Sequence, residues 1–203
     1  MMKLALFASG TGSNARSLVR AAREQRLEAE FVLVVCDKPQ APVVAFAEEE
    51  GIPVFAFSPK KYENKAAFET EIVKELHDKG AERIVLAGYM RLIGDKLLTE
   101  YGGRMINVHP SLLPSFPGKD AIRQAWEAGV KVTGVTIHYV DEGMDTGSII
   151  AQEPVGVKDT DSLETLTAGI QAVEHRLYPE IVQRWITRPL KKVQTNTEGA
   201  NHS

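Results

Sequence analysis

The chain lacks several features that mark whole classes of protein. Its single cysteine excludes an internal disulfide and favours a reduced, cytoplasmic location. No apolar run approaches the roughly 20 residues of a membrane-spanning helix. The 27 acidic and 24 basic residues give a net charge of -3, and no long basic run could follow a phosphate backbone. The composition therefore predicts neither a membrane segment nor a nucleic-acid partner.

The order of apolar runs predicts the fold class. With 203 residues and 43% hydrophobic content, the chain can bury one sizeable core. Apolar runs and helical patterns alternate in the first half, and an antiparallel hairpin is expected in the second. We therefore predict an α/β fold with a Rossmann-like, mostly parallel twisted sheet, helices on both faces, and antiparallel strands toward the C-terminal half. The expected strands are 4–8, 31–36, 54–57, 84–87, 105–108, 132–140 and 149–155.

The expected helices cover about 13–26, 41–50, 64–79, 119–128 and 162–185. Pro179 should bend or split the last of these, because proline removes a helical hydrogen bond. The residues after Arg188 are polar and without periodicity, so a frayed tail is expected there.

A glycine-rich loop, Ser9-Gly-Thr-Gly-Ser-Asn14, follows the first expected strand. Backbone N–H groups and the helix dipole at this position favour an anion such as a phosphate. The Walker lysine is absent, which excludes a nucleoside triphosphate loop. With Ala15 the loop also fits G-x-G-x-x-A, and Asp37 could then hold the ribose of a dinucleotide. A plain strand-to-helix turn is the third interpretation.

Asn107 and His109 stand two residues apart at the end of an expected strand. Side chains at this spacing share a face of the strand, so both can reach one ligand atom while Val108 faces the core. An amide N–H and an imidazole N–H aimed at one point suit a carbonyl oxygen that becomes an oxyanion. This pattern favours acyl transfer, although His109 could merely cap the strand. A metal site of His109, His138 and Asp145 is a weaker alternative, because no CxxC or HExxH motif occurs.

Four segments, taken together, resemble the phosphoribosylglycinamide formyltransferases of purine synthesis. They are Gly10-x-Gly-Ser-Asn14, Gly88-Tyr-Met-Arg-Leu-Ile93, Asn107-x-His109-Pro-Ser-Leu-Leu-Pro114 and Asp141-x-x-x-Asp145. The resemblance runs in order from residue 3 to about 187. It implies transfer of a formyl group from 10-formyltetrahydrofolate, the cosubstrate, to the glycinamide amine. No permanently bound cofactor and no metal are implied.

The resemblance also implies roles for individual residues. Asn107 would donate to the formyl oxygen, His109 would stabilise the developing charge, and Asp145 would orient His109 or receive the amine proton. The ribonucleotide would be bound by Gly12, Ser13, Asn14, Gln171 and Glu174. The folate would be bound by Lys65, Met90, Arg91, Leu92, Ile93, Asn107, Asp141 and Asp145. Lys65 departs from the arginine expected there, so a bidentate contact becomes a point charge.

One domain over 1–203 is expected, with a nucleotide-binding half over about 1–103, a catalytic and folate-binding half over about 104–187, and the tail. The partners would be small molecules, and the chain would be a monomer or a homodimer. A formyltetrahydrofolate hydrolase remains an alternative, although an additional N-terminal regulatory domain would be expected there. An NAD-dependent oxidoreductase that uses Gly10, Gly12, Ala15 and Asp37 is less favoured, and a ligand sensor without turnover is a third class.

Overall fold

Seven strands form one sheet in the computed structural model, which describes residues 1–188. They are β1 (Met2–Ala8), β2 (Ala29–Cys36), β3 (Val54–Ala56), β4 (Arg83–Leu86), β5 (Met105–His109), β6 (Val132–Tyr139) and β7 (Ile149–Gly156). Their order across the sheet is β3-β2-β1-β4-β5-β6-β7. Neighbours among β1 to β5 pair in parallel, whereas β6 pairs antiparallel with β5 and β7. The predicted α/β class and the antiparallel C-terminal strands are confirmed.

Six α-helices lie within the same 188 residues. They are α1 (Ser13–Arg23), α2 (Pro42–Glu49), α3 (Lys65–Asp78), α4 (Asp95–Tyr101), α5 (Ala121–Glu127) and α6 (Leu163–Ile186). The sequence pattern predicts every one of these helices except α4. This helix has 7 residues and begins after Gly94, which has no side chain to cap it. The cap is supplied instead by a residue far away in the sequence: the Gly94 N–H donates to Glu69 Oε1 of α3 (2.7 Å).

Alternating side chains of β1 separate two hydrophobic layers. Leu4 and Leu6 are fully buried in the layer under α1, α2 and α6, whereas Ala5 and Phe7 are buried under α3 and α4. This alternation follows from the two-residue period of a strand. The helices therefore cover both faces of the sheet, as predicted.

Helix α6 runs unbroken through Pro179, so the predicted split is wrong. A proline inside a helix costs about 3 kcal/mol or more. Tertiary packing outweighs this cost here, because Tyr178, Pro179 and Val182 are all buried against the sheet. The Tyr178 hydroxyl also donates to the backbone carbonyl of Leu86 in β4 (2.7 Å), which attaches the proline-containing turn to the sheet.

The strand order places a crevice between β1 and β4. The helix after β1 lies on one face of the sheet and the helix after β4 lies on the other, so their connections diverge at the carboxyl ends of these strands. In open α/β sheets, ligands bind at such a switch point.

The predicted tail falls on 189–203, outside the described residues. Over residues 1–188, no helix combines the length and apolarity needed to cross a membrane.

Candidate active site

A cleft of about 570 Å³ opens at the switch point. Its walls come from the loops after β4, β5 and β6 and from one side of α6. Most of the predicted site residues line it: Asn14, Met90, Arg91, Leu92, Ile93, Asn107, His109, Asp141, Asp145, Gln171 and Glu174. The other three, Gly12, Ser13 and Lys65, do not line it.

Asn107 reaches the cleft from β5 and meets a histidine of the neighbouring strand. The antiparallel register places Asn107 directly opposite His138 of β6. The Asn107 Nδ2 atom lies 3.3 Å from His138 Nε2, and His138 Nδ1 lies 2.8 Å from the Tyr139 carbonyl oxygen. With its proton on Nδ1, His138 donates to Tyr139 and accepts from Asn107. The second N–H of the Asn107 amide then remains for a ligand in the cleft.

His109, two residues further along β5, contacts an acceptor at each ring nitrogen. Its Nδ1 atom lies 3.3 Å from Asp145 Oδ2, and its Nε2 atom lies 2.8 Å from the Phe116 carbonyl oxygen. A neutral imidazole has only one N–H, whereas the imidazolium has two donors and satisfies both acceptors. The side chain is 6% exposed. The inner end of the cleft therefore offers an acceptor to each ring nitrogen of His109.

Asp145 joins the two histidines. Its Oδ1 atom is 3.6 Å from His138 Nε2, and its Oδ2 atom accepts from the Gly118 N–H (2.8 Å). Burial acts to raise the pKa of Asp145, but the hydrogen bond from the Gly118 N–H and the nearby His109 act in the opposite direction, and the pKa lies below its ordinary value. The residue has a φ of 57°, a left-handed conformation that costs free energy outside glycine. A charged carboxylate is thus fixed beside His109.

The glycine loop turns at Gly12, which has a φ of 73° and precedes the first residue of α1. A Cβ atom at this position would lie 2.6 Å from Val43 Cγ2. Glycine is therefore required both by the backbone conformation and by the close approach of α2. The turn leaves the N–H groups at the start of α1 unpaired within the helix, as an anion site requires.

Asn14 and Glu174 connect the glycine loop to α6 inside the cleft. The Asn14 Nδ2 atom donates to Glu174 Oε2 (3.2 Å), and the two side chains are 7% and 6% exposed. Burial raises the pKa of Glu174 to about 7, although the Asn14 hydrogen bond acts in the opposite direction. Near neutral pH, Glu174 can therefore exchange its proton, and its charged form would be stabilised by a cationic group of a ligand.

Residues 88–94, which we call the cleft loop, form the mouth of the cleft. Met90 and Leu92 are 57% and 46% exposed, whereas Ile93 is buried. The Arg91 Nε donates to Asp37 Oδ2 (2.8 Å). Asp37, 5% exposed and paired in this way, cannot hold the ribose of a dinucleotide, so the structure gives the oxidoreductase alternative no support.

Two predicted folate residues also have structural contacts. The carboxylate of Asp141 accepts from the Gly143 N–H (3.1 Å) and from the Thr146 hydroxyl (2.7 Å), which fixes the turn that carries Asp145. Lys65 lies on α3 with its Nζ 3.9 Å from Glu69 Oε1, and 42% of its side chain is exposed. Lys65 is therefore near the end of the cleft loop and outside the cleft wall.

His138 is the functional candidate that the sequence analysis misjudged, because it considered this residue only as a metal ligand. The expected strand 132–140 by itself gives no reason to place this side chain near Asn107. Only the antiparallel register supplies that contact. Although His109, His138 and Asp145 meet, no group of three or more His, Cys, Asp or Glu in the described part of the chain could hold a metal ion.

The chain belongs to the formyl transferase family, whose model matches residues 2–182. A phosphoribosylglycinamide formyltransferase of Bacillus subtilis (strain 168) is 56% identical over 184 residues, which are 91% of this chain and 94% of that protein. The crystal structure of a phosphoribosylglycinamide formyltransferase from Bacillus halodurans is 54% identical, with a TM-score of 0.90 over 92% of this chain and 96% of that one. The trifunctional purine biosynthetic protein adenosine-3 of Bos taurus is 41% identical over 89% of this chain, but over only 18% of its own length.

Proposed function

We propose that this chain transfers the formyl group of 10-formyltetrahydrofolate to the amine of phosphoribosylglycinamide, a step of purine (IMP) biosynthesis. The observation that carries the proposal is the meeting of Asn107, His109 and Asp145 at the inner end of one cleft. Membership of the formyl transferase family and similarity to proteins of this name support the same reaction. The folate is a cosubstrate, and the reaction needs no permanently bound cofactor.

The reaction moves a formyl group between two nitrogens. The neutral amine attacks the formyl carbon, a new C–N bond forms, and the formyl oxygen becomes an oxyanion. The bond from the formyl carbon to N10 of the folate then breaks, and N10 leaves with a proton equivalent to the one that the amine gives up. The enzyme must therefore stabilise one negative charge and move one proton, and no covalent enzyme intermediate is required.

Asn107 and His109 are the proposed oxyanion stabilisers. His138 accepts one N–H of the Asn107 amide and so directs the other toward the formyl oxygen. The His109 imidazolium supplies a positive charge in a partly dry site, where such a charge has a larger effect than in water. Both side chains are held by strand β5, so little reorganisation accompanies the reaction.

Asp145 and Glu174 are the two proposed proton-handling groups. Asp145 holds His109 in its charged form through the 3.3 Å contact and can receive the amine proton directly or through water. Glu174, whose pKa is about 7, is suited to bind the substrate as an ammonium ion and to release it as an amine. The substrate must lose this proton before its nitrogen can attack.

The roles of the remaining site residues are also proposed. The ribonucleotide phosphate is assigned to Gly12, Ser13 and Asn14, and its glycinamide end to Gln171 and Glu174. The pterin is assigned to the cleft loop from Met90 to Ile93 and to the turn from Asp141 to Asp145. Lys65 is assigned to the acidic tail of the folate, where its exposed ammonium group acts as a point charge.

The chain is proposed to act as a single domain. Its first half, about 1–103, carries the phosphate site together with Lys65 and the segment from Met90 to Ile93, and its second half, about 104–187, carries the catalytic groups and the remaining folate residues. Glu174 of the second half completes the ribonucleotide site through Asn14. We place the protein in the cytoplasm with small molecules as its partners, as a monomer or homodimer.

A two-substrate assay tests the proposal. Tetrahydrofolate and the formylated ribonucleotide should appear in equal amounts when both substrates are supplied, and neither should appear without the ribonucleotide. His109→Ala should severely impair turnover, whereas the matched variant His77→Ala, at an exposed position on α3, should retain it. Release of formate without the ribonucleotide would instead identify a hydrolase.

A further inference from the structure

The cleft loop carries exposed apolar side chains that its own packing does not fix. Met90 and Leu92 face solvent at the mouth of the cleft, and Ile93 is buried among residues of α3 and α4. A flexible loop would have to be ordered each time a ligand bound to it, and that ordering would weaken the affinity. The position of this loop must therefore be set from outside it.

Three buried polar side chains contact the cleft loop from three different elements. The Ser9 hydroxyl, after β1, accepts from the Met90 N–H (2.9 Å), and the Ser9 N–H donates to the Gly88 carbonyl (3.1 Å). Asp37, after β2, accepts from Arg91 Nε (2.8 Å). Glu69, on α3, accepts from the Gly94 N–H (2.7 Å). Their exposed fractions are 2%, 5% and 2%.

The Glu69 contact is buried and the Ser9 and Asp37 contacts are partly buried, and all three accepting residues are themselves buried. A buried oxygen that loses its partner is costly, so all three contacts oppose any displacement of the loop. Glu69 also receives backbone hydrogen bonds from Lys96 and Leu97 at the start of α4. The cleft loop is thus fixed at its first residue, near its middle and at its last residue.

We propose that Ser9, Asp37 and Glu69 form a polar clamp that holds the cleft loop in the conformation that binds the folate. None of the three side chains lines the cleft, so they are positioning residues and not catalytic ones. The inference rests on the proposed function only in taking the folate as the ligand of this loop. It predicts that loss of the clamp weakens folate binding while the chemical step and the ribonucleotide site are retained.

Ser9→Ala gives the sharpest test, because Ser9 begins the glycine loop but precedes the residues assigned to the ribonucleotide, Gly12 to Asn14. We expect this variant to raise the KM for 10-formyltetrahydrofolate about tenfold, the usual effect of losing one buried hydrogen bond. The kcat and the KM for the ribonucleotide should stay within about twofold of the wild type. If Ser9 instead served the phosphate site, the ribonucleotide KM would change.

The contact between Glu69 and Gly94 can be tested by replacing either partner. Glu69→Ala should raise the folate KM about tenfold and Glu69→Gln, which keeps an acceptor oxygen, should restore much of the affinity. A Cβ on Gly94 would lie 2.6 Å from Lys65 Cε and 2.7 and 2.8 Å from the two Glu69 oxygens, so Gly94→Ala should displace the carboxylate together with the flexible end of Lys65. Glu75→Ala, further along α3, is the matched control.

Calorimetric titration with tetrahydrofolate measures the effect of the clamp on folate affinity independently of turnover. If the wild type binds tetrahydrofolate but transfers no formyl group, the proposed function is wrong and the same titration still decides the clamp. Equal affinity of Ser9→Ala, Gly94→Ala and the wild type for tetrahydrofolate would overturn the clamp, as would an equal loss for both substrates. A wild type that binds no folate would overturn both proposals.

Discussion

Replacement of Gly12 by alanine tests the glycine loop most directly. The φ of 73° costs an L-residue about 1–2 kcal/mol. The new Cβ would also lie 2.6 Å from Val43 Cγ2 and 2.9 Å from Val43 Cβ, an overpacking that typically costs about 1–3 kcal/mol. The two effects together predict a loss of about 2–5 kcal/mol, equivalent to a fall in Tm of the order of 10 °C for a domain of this size.

The same strain should move the loop and weaken the phosphate site. We expect the KM for the ribonucleotide to rise at least about tenfold in Gly12→Ala, with little change in the KM for the folate. Val43→Ala removes the nearer of the two contacting atoms. In the double variant, the steric part of the loss should therefore be partly recovered, whereas the conformational part should remain.

Thermal unfolding and steady-state kinetics of the four proteins in this cycle measure both effects. Strictly additive losses would show that Val43 does not limit the space at Gly12. Equal increases in the two KM values would show that the loop does not belong to the ribonucleotide site. Either result would refute the corresponding part of the reasoning.

Three further predictions concern the inner cleft. Asn107→Ala should lower kcat by about two to three decades, the usual effect of losing one oxyanion donor, with folate binding retained in a direct titration. Asp145→Asn should cost much less in a His109→Ala background than in the wild type, because Asp145 acts through His109; additive losses of kcat in this cycle would assign Asp145 a separate task. The pKa of Glu174 is about 7 in the folded chain against an ordinary 4.5, so the native state retains this proton more tightly than the unfolded chain. The stability contributed by Glu174 should therefore fall by roughly 3 kcal/mol between about pH 4.5 and pH 7, and Glu174→Gln should remove this part of the slope in urea unfolding.

Local patterns in the sequence predict much of the sheet and part of the site. Asn107 and His109 share a face because a strand has a two-residue period, and no tertiary information is needed to see this. Gly12 is similarly predictable, since a tight turn before a helix favours glycine. These features depend on neighbours along the chain, which the sequence displays directly.

Contacts between distant elements were not predictable in the same way. His138 meets Asn107 only through the register of β5 and β6, and Glu69 reaches Gly94 from another helix. The sequence analysis missed α4 because its N-terminal cap is supplied by that distant carboxylate. Pro179 does not break α6, because packing against the sheet offsets the free-energy cost of a proline inside a helix. This packing is also a contact between distant elements, which the local sequence does not display.

The hydrogen bond between Asn14 and Glu174 has a consequence for how the protein is made. Its two partners are 160 residues apart in the chain, and the ribonucleotide site assigned here needs both. A ribosome that has completed β1, the glycine loop and even β5 has therefore produced no complete site. On the proposed assignment, the site is complete only after α6 has emerged and docked, so an unfinished chain should not sequester the ribonucleotide during translation.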